Sequence, residues 1–319
     1  MNKQPIFLQP VFQERIWGGQ KLHTDYDYDV PFEKTGEAWV ISAHPNGPST
    51  ITNGMLKGKT LKDAWEEHGE LFNKKKETDE EYPLLVKMLD ANDDLSVQVH
   101  PDDQFAREIE GQPYGKTECW YVLEAEPGAE LILGHHAVTR EELEKMMDSG
   151  QWGDLLQRVP VTAGDFFYVP SGTIHAIGKG IVILETQQSS DITYRVYDYD
   201  RTDAKGEKRE LHLERAKQVT TVPHQPAHTE QEERVNGGLT EKRLVEADYF
   251  CVAHWQLDGS VSRKLTEDFL QVSVISGQAE LTAGEESYHL EKGMHFILPH
   301  QTGEYSLDGS AQFVVSWTP

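Results

Sequence analysis

Short alternations of apolar and polar residues dominate this chain, and they predict strands far more often than helices. Phe7-Leu8-Gln9-Pro10-Val11-Phe12 leads into Arg15-Ile16-Trp17-Gly18-Gly19, and residues 36–42 read as a further strand. Residues 82–90 form a nearly continuous apolar run suited to a buried strand, and strand-like patterns return over 161–195. Residues 249–257 and 269–277 alternate in the same way, with Gly277, Gly284 and Gly293 at hairpin spacing. Helical periodicity is confined to insertions. Residues 61–68 predict a helix capped by Thr60, 102–110 a short one, and 213–219 another. The clearest runs over 139–158: Thr139 caps it, Glu141 and Glu142 suit the first turn, and Leu143, Met146 and Met147 share a face. Residues 197–206 are polar and turn-rich. Residues 223–238, rich in Pro, His, Glu and Gln, have no periodicity and predict a linker, dividing the chain into 1–235 and 236–319.

Composition narrows the function. At 319 residues the chain can form one large or two modest domains. Fifty-four acids against thirty bases give a formal charge of −24, which argues against nucleic acid or an anionic membrane as partner. An anionic small substrate would need locally placed cations. Cys119 and Cys251 stand far apart, so no disulfide framework is expected. No membrane-spanning or signal-like apolar run is present, and the simplest reading is a cytoplasmic enzyme with reduced thiols and no protein partner implied.

Candidate chemistry concentrates in three strand-like segments. Gly164-Asp165-Phe166-Phe167-Tyr168-Val169-Pro170-Ser171-Gly172-Thr173-Ile174-His175 reads as a strand, a tight Pro-Ser-Gly turn, and a histidine entering the next strand. Alternation points His175 opposite Ile174, toward the interior. The spacing Gly-x5-Pro-x-Gly-x2-His resembles a signature of the cupin barrels, in which that histidine is a metal ligand. Upstream, Ser96-Val97-Gln98-Val99-His100-Pro101 places Gln98 and His100 on one face, and Glu118 opens another β-rich run. Two imidazoles, a carboxylate and an amide oxygen suit a divalent cation such as Zn²⁺, one per chain. Taken singly, each of these residues reads more readily as a half-buried histidine or a surface acid; together on strand-like segments, with the Pro-x-Gly-x2-His turn, they point to a metal site. Residues 293–304 look like a worn copy of the motif with Glu304 at the histidine position, so the C-terminal part is expected to repeat the fold without its metal.

The whole chain resembles the type I mannose-6-phosphate isomerases of the short bacterial kind. The resemblance rests on Arg15-Ile16-Trp17-Gly18-Gly19, Thr35-Gly36-Glu37-Ala38-Trp39, residues 94–101, residues 115–121, the 170–175 turn, and Glu185-Thr186-Gln187-Gln188-Ser189-Ser190-Asp191-Ile192-Thr193-Tyr194-Arg195. It implies a mainly β fold of two cupin-like jelly-roll domains with helical insertions in the N-terminal part. It also implies zinc-dependent interconversion of mannose 6-phosphate and fructose 6-phosphate. By that resemblance Gln98, His100, Glu118 and His175 match the metal-ligand positions and Arg195 the catalytic arginine.

An enediolate route needs a proton carrier, and Glu185 is the first candidate, Lys116 the second. His100 would be a poor base if metal-bound, and Asp191 reads as a turn-forming acid. Without the resemblance, Arg195 reads as a salt-bridge partner of Asp198 or Asp200. Arg15, Lys116 and Arg201 are candidates for the substrate's phosphate, and no Walker-type loop is present. His224 and His228 read as linker. Two rival functions stay open: a cupin dioxygenase with a 2-His-1-carboxylate Fe(II) site, and a non-catalytic sugar-binding bicupin.

Overall fold

The computed structural model describes residues 4–74, 80–202, 206–300 and 302–319. Residues 203–205 of the turn-rich stretch and Gln301 of the worn motif lie outside them. Among the described residues the chain builds three antiparallel sheets. A six-stranded sheet runs in the order Phe166–Val169, Glu118–Ala125, Ile181–Gln188, Leu84–Ala91, Val11–Gly19, Thr35–Ser42. A five-stranded sheet runs Tyr194–Tyr197, Val97–Val99, His175–Ile177, Glu130–His135, Leu156–Pro160. The two are open sheets, and they face each other across a shared apolar layer of Leu89, Trp120 and Ile183 from one and Leu131 and Ile177 from the other. This is the jelly-roll arrangement, in which facing sheets interdigitate their inner side chains.

Three helices cover the outer face of the five-stranded sheet. Arg140–Asp148, Trp152–Leu155 and Leu213–Val219 lay Leu143, Met147, Leu155 and Ala216 against Val97, Val99, Ile174 and Ala176. Thr139 caps the first, its side chain accepting from the Glu142 N–H. The helix expected over 139–158 ends early. Gly150 adopts φ +66, which a continuing helix cannot accommodate, and Leu156–Pro160 is a strand paired with Glu130–His135. The helix Leu61–Glu67 has the expected Thr60 cap, closed into a capping box by Asp63. The helix expected over 102–110 is a single turn, Asp103–Phe105, continued by a wider π-type turn over Ala106–Glu110.

The third sheet has nine strands and a core of its own, centred on Trp255, Leu281, Phe296 and Phe313. It is not built from the C-terminal part alone: Ile6–Gln9 and Thr50–Ile51 extend it beside His295–Leu298. The expected linker is also shorter than its composition suggests. Glu232–Asn236 is an edge strand paired with Leu239–Glu246, and the division at 235/236 falls on this hairpin. All five of its residues are exposed, so no burial pattern marked it in the sequence.

Candidate metal centre

Strand register brings the chemistry together from both facing sheets. In the five-stranded sheet, Arg195, Gln98 and His175 are consecutive cross-strand partners. Alternation works as expected there: Val97 and Val99 point into the helical layer, while Gln98 between them faces inward. Ile174 likewise joins the helical layer and His175 the interior. In the six-stranded sheet, Trp39, Lys87, Glu185 and Trp120 form one row across four strands, with Glu118 two residues from Trp120. Between the sheets lies a cavity of about 380 Å³ whose lining includes Gln98, Glu118, His175, Glu185, Lys116 and Arg195.

His100, Glu118 and His175 place one ligand atom each within 4.8 Å of one another, and all three are about 1% exposed. The Glu118 Oε2 lies 3.6 Å from His100 Nε2, and its Oε1 lies 3.3 Å from His175 Nε2. The outer nitrogens are fixed by backbone carbonyls: His100 Nδ1 donates to Ile192 O at 2.8 Å and His175 Nδ1 to Thr173 O at 2.8 Å. That leaves each Nε2 with its lone pair turned toward Glu118, the second-sphere pattern of metal-binding histidines. Burial, then the positive Lys116, holds the His100 pKa well below its ordinary value. Burial likewise lowers that of His175, to about 4. Both rings are therefore neutral at physiological pH, and no proton must leave before a cation binds.

His100 Nε2 and Glu118 Oε2 are buried without a hydrogen-bond partner. Glu118 Oε2 has only the Lys116 ammonium at 3.3 Å and His100 Nε2 has no donor at all, and a buried acceptor left bare costs free energy that a divalent ion would recover. The donor set of two imidazoles and a carboxylate fits Zn²⁺. Gln98 sits beside the same donors, its amide nitrogen 3.3 Å from His175 Nε2. Turning that amide by half a revolution presents its oxygen instead.

The other titratable groups form a chain of charges around this centre. Lys116 Nζ is 3.3 Å from Glu118 Oε2; burial works against its charge, but Glu118, Glu185 and Glu37 outweigh that and raise its pKa. Burial, then the nearby Glu118, raises the pKa of Glu185. Glu37 is held to about 2: burial opposes its ionisation, but Lys87 and Arg15 overcome it. Arg195 donates to Glu210 O at 2.8 Å and to Ser96 Oγ at 3.3 Å. The salt bridge to Asp198 or Asp200 does not form, because Asp198 is held by Arg201 and Arg209, and Asp200 by Lys208.

Arg201 does not reach the cavity; it binds Asp198 and the Asp94 carbonyl instead. Arg15 and Lys116 do line it, Arg15 paired with Glu37 at 2.9 Å. Asp191 sits at the rim, nearly half exposed, and accepts from Asn46 Nδ2 at 2.7 Å. Sequence reasoning missed Lys87, Trp120 and Arg209, all of which line the cavity. A signal existed for the first: Lys87 is the only base in the apolar run 82–90. Arg209 comes from an aperiodic loop and gave none. Five bases (Arg15, Lys87, Lys116, Arg195, Arg209) face four acids (Glu37, Glu118, Glu185, Asp191) in this lining, and Arg209 is paired with Asp198 beside it, so in a chain of net charge −24 the pocket is close to neutral.

Comparison with known proteins agrees with this geometry. Residues 6–126 match the catalytic-domain model of type I phosphomannose isomerase, and residues 240–318 match the cupin domain of mannose-6-phosphate isomerase. A Bacillus subtilis mannose-6-phosphate isomerase is 51% identical over 317 residues, 99% of each chain. A Streptococcus mutans mannose-6-phosphate isomerase is 51% identical over 313 residues, 98% of each. The crystal structure of a Bacillus subtilis mannose 6-phosphate isomerase superposes with a TM-score of 0.95 at 48% identity, covering 98% of this chain and 99% of that one. Half-identical relatives aligned end to end, with the buried centre in place, make this chain a member of the type I phosphomannose isomerase family.

Proposed function

We propose that the chain is a zinc-dependent aldose–ketose isomerase that interconverts mannose 6-phosphate and fructose 6-phosphate. The observation that carries this reading is the buried His100–Glu118–His175 group at one cavity with Glu185, Lys116 and Arg195, in a chain half identical to mannose-6-phosphate isomerases along its length. His100, Glu118 and His175, with Gln98 as the fourth donor, would hold the cation. When bound, the zinc supplies Lewis-acid polarisation of the sugar's oxygens.

The chain's own residues supply the rest. Glu185 takes the C2 proton of the open-chain aldose; the C2–H pair becomes the C1=C2 bond and the carbonyl pair moves onto O1. Returning the proton to C1, with transfer of the O2 proton to O1 as the C2=O2 bond forms, completes the ketose. A carboxylate whose pKa is raised by burial suits this exchange, because it must both accept and release the proton near neutrality. Arg195 faces the developing enediolate and stabilises its charge without taking part in proton transfer. Lys116 serves ring opening, moving a proton to or from the ring oxygen. Arg209 and Arg15, on the same lining, offer the cationic groups that a phosphate requires.

The test is a coupled assay for fructose 6-phosphate from mannose 6-phosphate, run on metal-loaded, chelated and zinc-restored protein, with elemental analysis of the bound metal. Chelation is expected to abolish turnover and zinc to restore it. Turnover that ignores chelation refutes the metal-dependent reading. Iron with oxygen uptake and no isomerisation would favour the oxygenase instead.

A further inference from the structure

One residue at the cavity has no part in the reaction as described, yet holds a central place in the register. Lys87 is 5% exposed, carried by the otherwise apolar strand Leu84–Ala91. A buried ammonium costs several kcal/mol unless it is paired, so the fold tolerates it only where partners are built in. They are. Across the six-stranded sheet, Lys87 has Trp39 as its cross-strand neighbour on one side and Glu185 on the other, and Glu185 has Trp120 beyond it. The Lys87 Nζ lies 3.3 Å from Glu185 Oε1 and 5.2 Å from the centre of the Trp39 ring. Trp39 is fixed in turn by its indole N–H, which donates to Glu37 Oε2 at 2.7 Å.

The two oxygens of Glu185 have different holders. Oε1 has no hydrogen bond and is ion-paired with the Lys87 ammonium at 3.3 Å, while Oε2 accepts from Trp120 Nε1 at 3.3 Å. The same indole N–H also donates to Glu118 Oε1, at 3.1 Å. Glu185 is thus clamped along the row, with the cationic neighbour on one oxygen and a donor shared with the metal-ligand carboxylate on the other.

We propose that Lys87 is a positioning residue, which with Trp120 fixes the carboxylate of Glu185 so that one oxygen is presented to the substrate's C1–C2 bond. A proton carrier that serves two adjacent carbons needs one orientation reaching both, and misplacing it by about 1 Å costs about 100-fold in rate. Lys87 acts through Glu185 rather than on the substrate, and Glu37 with Trp39 backs it from the far side. The inference rests on the proton-carrier role proposed for Glu185.

The test is a double-mutant cycle with Lys87→Met and Glu185→Gln, reading kcat, KM and bound metal. Lys87→Met alone is expected to lower kcat about 10- to 100-fold, with KM and metal content close to wild type. Lys87→Arg should recover part of the loss. In the Glu185→Gln background, Lys87→Met should cost no more than about twofold, since a lysine that only aims the carboxylate has nothing left to aim. Trp120→Phe, which removes the indole N–H and keeps an aromatic ring, is read in the same cycle and carries the proposal if Lys87→Met does not fold. An undiminished loss in the Glu185→Gln background, or a Lys87→Met kcat within twofold of wild type, overturns it. An inactive zinc-loaded wild type overturns the isomerase reading itself, whereas an active wild type with an additive cycle removes only the positioning role.

Discussion

Stripping the metal should destabilise the protein by an amount the site itself sets. His100 Nε2 is buried with no donor, and such an acceptor costs about 1–3 kcal/mol when left bare, whereas Glu118 Oε2 already has the Lys116 ammonium at 3.3 Å. A cation that engages His100 Nε2 therefore returns about 1–3 kcal/mol relative to the stripped protein. At about 2.1 cal/mol/K of unfolding entropy per residue, a chain of 319 residues loses about 1.5 °C of Tm per kcal/mol. The expected fall on chelation is then about 1.5–4.5 °C. Scanning calorimetry at fixed free zinc, on wild type and on His175→Ala, measures it. Wild type should shift with zinc and His175→Ala should not. A wild-type Tm indifferent to chelation, in protein shown to have lost its metal, would refute the argument that His100 Nε2 is held in reserve for a cation.

His175→Ala should abolish metal content and turnover together, whereas Arg195→Ala should cut turnover and leave the metal in place; metal loss in the arginine variant, read by elemental analysis, would sink its assigned role. His295 gives a pH-dependent stability: burial lowers its pKa to about 3, so below about pH 6.5 the unfolded chain binds a proton that the folded chain refuses. Stability is full above pH 6.5 and falls by about 2 kcal/mol by pH 5 on this account, and urea titrations at pH 7 and 5 should show that difference shrinking in His295→Gln. Thr139→Ala removes the cap on the Glu142 N–H and should cost about 1 kcal/mol in the same titration with activity unchanged.

The parts of this site that were legible in the sequence are those fixed by local periodicity. Two residues per repeat put Gln98 and His100 on one side, and the Pro170–Gly172 turn delivers His175 inward; both follow from strand geometry and turn chemistry alone. Register between strands is not local. The row Trp39–Lys87–Glu185–Trp120 draws on residues up to 146 positions apart, counting from Trp39 to Glu185, and no pattern within any one strand announces it. The same limit explains the misplaced helix end. A hydrophobic face through Met147 predicts a helix well, but where it stops depends on a left-handed Gly150 and on a strand partner, Glu130–His135, that the window does not contain. The linker was overextended for the opposite reason: a charged, fully exposed edge strand has the composition of a loop.

The worn copy of the motif shows what keeps a site and what keeps a fold. Gly164 and Gly293 hold nearly the same backbone angle, φ +92 and +90, and each is followed by a short strand running to a proline, Phe166–Val169 before Pro170 and His295–Leu298 before Pro299. The turn geometry persists because only glycine adopts that angle cheaply. The ligand chemistry does not persist. Glu304, at the position matching His175, is exposed, and the histidine that this strand does bury, His295, has both ring nitrogens engaged, by Tyr28 at 2.7 Å and Ser273 at 2.8 Å. No lone pair is left over there. At the candidate metal centre, by contrast, His100 and His175 spend Nδ1 on the backbone, His100 Nε2 has no hydrogen bond, and His175 Nε2 meets only the Gln98 amide at 3.3 Å. What separates the candidate ligands His100 and His175 from His295 is thus what occupies the second nitrogen, not burial, since all three rings are equally enclosed.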